Sequence, residues 1–155
     1  MPNDVVLLDM GSDISLVQRV AGAQILSSQE VLLGVDALVR QSFRHEPPHP
    51  IELEHAIDWT EEAVMPLAAQ LVDGSRLTLQ GLGAALIADG LKVNDTPQRT
   101  LTMDEVEALF NRLVSVSQGR PVSQETLPTD ARFFAVILIL REFMHHLQFA
   151  QVTLA

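Results

Sequence analysis

The sequence has no cysteine among its 155 residues, which removes disulfides, thiolate metal sites and sulfur nucleophiles together. It is also short of charge: 19% of residues are charged and 47% apolar, against about 25% charged in an ordinary soluble chain. Polar cover is therefore thin for a lone monomer, and a homodimer or a protein partner is expected to use the excess. Basic residues are scarce, ten against twenty acidic ones for a net charge of -10, and they form no cluster. Such a surface repels phosphate backbones and anionic lipid heads, so no nucleic acid and no membrane surface is expected as a partner. No apolar run approaches the roughly 20 residues needed to cross a bilayer. No positively charged region precedes the short apolar run Val5 to Leu8, so a cleaved signal peptide is not expected and a cytoplasmic location is.

What is present is dominated by Thr129 to Phe149. Eight consecutive apolar residues, Phe133 to Leu140, predict a helix with no solvent face, packed in the middle of a core. Thr129 is the expected cap, and Arg141, His145 and His146 fall where a helix carboxyl end favours cations. Upstream, Val5 to Leu8 reads as a short strand ending at Asp9-Met10-Gly11-Ser12, and residues 14–23 are ambiguous. Ser27 with Glu30 has the spacing of a capping box, with Leu26 and Val31 as its staple, and predicts a helix from about Ser28 to Phe43. His45 to Pro50, with three prolines, predicts an extended connector. A second helix is expected over Ile51 to Leu71, broken near Pro66. Asp73-Gly74 predicts a turn into a strand at 77–79. Gly81 to Asp89 then predicts a short helix closed by Gly90, followed by a small hairpin built from 91–93 and 99–101.

Thr102 with Glu105 repeats the capping box, and Leu101 with Val106 repeats the staple. The separations 101 minus 26 and 154 minus 79 are both 75, and at that offset nine positions are identical across 26–79 and 101–154. These observations predict a helix-rich α+β fold with four main helices and a few short strands. A single domain spanning 1–155 is expected, internally duplicated as 5–80 and 81–155.

Two Glu-x-x-His pairs, Glu52 with His55 and Glu142 with His145, place carboxylate and imidazole on one helix face. Ferritin-like bundles hold two metal ions with such pairs and two further glutamates, for which Glu30 and Glu105 are the candidates. Iron, zinc or manganese would be the metal. Glu30 and Glu105 already have local work in the capping boxes, however. The concentration of His45, His49 and His55 with Glu46, Glu52 and Glu54 fits a solvated connector facing a partner, which also brings in Asp58 and Glu61. Trp59 is expected to pack inward.

Gly81-Leu82-Gly83 after a strand begins a dinucleotide fingerprint but lacks its third glycine and its acidic residue. Asp9-Met10-Gly11-Ser12 after a strand resembles the first phosphate loop of the actin-like ATPases, whose domains are far longer than this chain; on length the resemblance is set aside. No serine lies in a hydrolase-type elbow. The sequence therefore favours a non-enzymatic accessory or interaction protein acting through an acidic helical surface, needing no cofactor. A di-metal carboxylate enzyme or metal-storage protein is the alternative.

Overall fold

Val6, Leu8 and Met10 alternate with half-buried neighbours, the period of a strand with one face in a core. The computed structural model describes residues 4–71, 75–95 and 98–155. In it this segment is β1 (Asp4–Met10), followed by β2 (Ser15–Ala21), β3 (Gln24–Val31), α1 (Val35–Ser42) and α2 (Pro50–Val64). A 3-10 turn (Met65–Ala69), β4 (Arg76–Gln80) and α3 (Leu82–Leu91) come next. The chain then runs through β5 (Arg99–Thr102), α4 (Met103–Ser117), a short 3-10 turn, α5 (Ala131–Leu147) and β6 (Gln151–Leu154). The strands form one mixed sheet in the order β3-β2-β1-β4-β6-β5.

Register lines the core face up in rows. Val6 pairs with Leu77, Leu77 with Val152 and Val152 with Leu101; Leu8 pairs with Leu79, and Leu79 with Leu154. All seven are buried. Between them Leu7, Asp9, Thr78 and Thr153 point to the opposite face and are only half-buried. On the covered side α5 is the hub, packing on α1, α2, α3 and α4. Phe133 to Leu140 are all buried, as a helix apolar on every side requires. Its cap is Asp130, whose carboxylate accepts from the Phe133 amide at 3.3 Å, not Thr129.

This is not the helix-rich fold of four helices and a few short strands expected from the sequence. Among the described residues six strands, three of them seven or eight residues long, build the sheet, and five helices accompany it. The decisive error lies at Ser27 and Glu30, which sit within β3. There Ser27 pairs with Arg19 and Glu30 with Leu16, so hydrogen bonds to a distant strand override a local capping pattern. The helix starts only at Val35 and has eight residues. At Thr102 the same pattern does cap a helix: the Glu105 amide donates to Thr102 Oγ1 at 3.1 Å and the Thr102 amide to Glu105 Oε1 at 3.0 Å. One copy of the motif is strand and the other helix start, so the internal repeat falls.

The predicted break at Pro66 is present, since α2 ends at Val64 and passes into the 3-10 turn. Gly90 does not close α3; it lies inside the helix, which ends at Lys92 in the left-handed region (φ 59). The expected turn at Asp73-Gly74 lies outside the described residues. Trp59 is partly buried and packs against the core. No helix among the described residues is long and apolar enough to cross a membrane.

Candidate functional site

Strands β1, β3, β4 and β6 run in one direction, so their carboxyl ends share an edge. In open α/β sheets that edge is where ligands bind. Two helices start there, each led by a glycine: α1 after Gly34 and α3 after Gly81.

The two starts differ chemically. At α1 the Val35 amide donates to Gly11 O at 3.0 Å, and the Asp36 and Ala37 amides donate to Ser12 O at 2.9 and 3.1 Å. The β1–β2 turn thus uses up the donors of α1. Side chains complete the knot: Ser12 Oγ donates to Asp36 Oδ2 at 2.6 Å, Ser15 Oγ to Leu33 O at 2.6 Å, and Arg40 pairs with Asp13 at 2.6 Å. The Ser12 hydrogen bond, joined by the Arg132 guanidinium, holds the Asp36 carboxyl below its ordinary value against the opposing effect of its partial burial.

At α3 only the Ala85 amide bonds back to Gly81 O, at 3.2 Å. The amides of Leu82, Gly83 and Ala84 find no partner among the described residues. Gly81 has φ 80, and a Cβ there would strike the Asp9 carboxylate, so only glycine lets Asp9 approach the helix start this closely. Beside it lies an open pocket of about 270 Å³, lined by Gly81, Ala84, Ala85, Asn94, Arg99 and Leu154 among others. Arg99 is tied only loosely, to Glu105 at 3.8 Å. Free backbone donors at a helix amino end, with a guanidinium nearby, suit an anion.

The residues singled out as metal ligands do not assemble as expected. Glu52 is buried and pairs with His45 Nδ1 at 2.7 Å, while His55 is exposed. Glu142 is also buried; it bonds Arg141, and His146 Nε2 at 3.1 Å, while His145 is exposed. Glu30 lies on β3 and Glu105 in the α4 cap. Of the expected partner-facing residues, His45, His49, Glu54 and Asp58 are exposed, and Glu61 lies 3.3 Å from His146. The sequence reading placed the α3 start but assigned neither it nor Arg99 to the site. Gly81-Leu82-Gly83 was the available signal, and it was tested only against a dinucleotide pattern.

An open mixed sheet of this order, with the β1–β2 turn and two glycine-led helices at one edge, is the actin-like fold. No protein family matches the sequence, and no curated protein matches it. Solved structures do match in fold. The Ppx/GppA phosphatase of Aquifex aeolicus, in its type II variant, aligns with TM-score 0.73 and 15% identity over 97% of this chain and 52% of that one. An exopolyphosphatase from Cytophaga hutchinsonii aligns with TM-score 0.72 and 13% identity over 97% and 52%. An exopolyphosphatase-like protein aligns with TM-score 0.70 and 9% identity over 98% and 54%. The chain spans about half the length of these structures.

The length argument against the Asp9-Met10-Gly11-Ser12 resemblance therefore fails, because a lobe of this fold needs only half of such a chain. The accessory-protein reading falls with it. Its acidic helical surface presupposed a helix-rich architecture, and the neighbours that share this mixed sheet are phosphatases. The di-metal alternative presupposed a four-helix bundle, and the described residues form none.

Proposed function

We propose that the chain is one lobe of a phosphatase of actin-like fold, binding the phosphate groups of its substrate at the carboxyl edge of the sheet. The observation that carries this reading is the unsatisfied amino end of α3 beside the Arg99 pocket. Phosphate oxygens would accept from the Leu82, Gly83 and Ala84 amides, and Arg99 would supply a positive charge beside them. Asp9 stands against the same helix start. As a carboxylate it can take a proton from a water attacking phosphorus while the bond to the leaving oxygen breaks. The β1–β2 turn spends the carbonyls of Gly11 and Ser12 on the α1 amides and so holds Asp9 on a rigid base. The neighbours' second half would close the site from the other side.

The test is titration of the ¹⁵N-labelled chain with tripolyphosphate. Amide shifts confined to 81–85 and 99 are expected, with Arg99→Ala weakening binding about tenfold, as loss of a charge-assisted hydrogen bond does. Asp9→Asn should keep binding while abolishing any release of inorganic phosphate. Shifts clustered elsewhere, or none, would overturn the proposal.

A further inference from the structure

The connector between α1 and α2 carries a group that the carboxyl edge does not use. His45 and His49 stack face to face, ring centroids 3.5 Å apart and planes within 8°. Glu52 completes the group, and one ligand atom from each of the three lies within 4.8 Å of the others. We propose that His45, His49 and Glu52 bind one divalent transition-metal ion of the zinc class.

The setting of Glu52 separates this group from an ordinary solvated loop. Glu52 is buried, and its carboxylate is held by His45 Nδ1 and by the backbone amides of Arg44 and His49. Its two oxygens are also divided in function. Oε1 accepts from the Arg44 and His49 amides, both at 3.2 Å, while Oε2 faces His45. The first pair fixes the carboxylate, and a cation would take the place of the proton that bridges Oε2 and His45 Nδ1, an arrangement of supporting hydrogen bonds common around metal sites.

The connector is also held in place. Ser117 Oγ donates to Pro48 O at 2.7 Å, the Ala131 amide donates to Glu46 Oε2 at 2.8 Å, and Pro48 is buried. Ligands on a pinned segment need little reordering to bind.

A second group, Glu61, Glu142 and His146, has similar spacing. There Arg141 already neutralises Glu142, so a metal would have to displace a guanidinium. At the connector the guanidinium of Arg44 turns away to the Arg40 and Phe43 carbonyls, at 2.8 and 3.0 Å. Two nitrogens and one oxygen suit zinc, cobalt or nickel better than magnesium, and three protein ligands leave a position for water.

The experiment is calorimetric titration of the untagged chain with Zn²⁺, with Co²⁺ absorption as the spectroscopic readout. One ion per chain is expected, with no saturable binding of Mg²⁺. His45→Ala and His49→Asn, the latter keeping a capping side chain for α2, should each weaken binding at least about tenfold. Circular dichroism checks that both variants fold. His55→Ala and His145→Ala should change nothing. Absence of saturable Zn²⁺ binding, or affinity that survives both connector variants and falls with His55→Ala or His145→Ala, overturns the assignment.

Discussion

Glu125 shows how much a single side chain can hold. Its carboxylate is fully covered and takes Arg112, Arg120 (2.7 Å) and the amides of Thr126 and Leu127 (2.8 and 2.9 Å), stitching the α4–α5 loop to α4. Burial works to raise this carboxyl, but the Arg112 hydrogen bond, the Leu127 amide and Arg120 prevail and hold it at about 2 against an ordinary 4.5. Because the folded value is depressed, the stabilisation is fully present above about pH 4.5 and is lost as pH falls toward 2. Glu125→Gln should cost on the order of 2 kcal/mol at neutral pH, the figure discounted for the exposure of both guanidinium groups. Denaturant midpoints of the two proteins should converge as pH drops through that window; a constant gap would refute the linkage. The same scale explains why the site residues were hard to read. Glu52 was paired by spacing with His55, downstream on its own helix. The structure gives it His45, upstream on the connector, because a glutamate in the first turn of a helix reaches back toward its cap.

At the scale of elements, α3 and α5 illustrate a glycine kept for packing. A Cβ at Gly90 would run into three ring atoms of Phe133, itself buried. In an exposed helix Gly→Ala gains about 1 kcal/mol. Here overpacking, typically about 1–3 kcal/mol, should reverse the sign. Gly90→Ala is expected to lower the urea midpoint, and the added Phe133→Leu to recover part of the loss; a stabilised Gly90→Ala would show that the helices simply spread. Legibility varied in the same way from element to element. The α5 core helix was plain because eight apolar residues leave no other arrangement. The Ser27 and Thr102 boxes were indistinguishable locally, and only the pairing of β3 with β2, set by residues far apart in sequence, separates them. The glycine turn after β1 was visible as a phosphate-loop likeness and was lost to an argument from length.

At the scale of the whole molecule, the thin polar cover inferred from composition appears as half-covered sheet residues and as single exposed apolar side chains, Leu32 at 79% and Ile25 at 58%. The two helix starts at the carboxyl edge carry a different consequence. Since the turn after β1 already engages the first three amides of α1, that corner can release a proton to solvent only when turn and helix part together. The matching amides of α3 hold no such bond. In deuterium exchange, Val35, Asp36 and Ala37 should therefore retain their protons until the sheet itself opens, while Leu82, Gly83 and Ala84 lose theirs early. One edge thus carries a slow clock and a fast one side by side, and a ligand that binds at α3 should slow the fast one without touching the other.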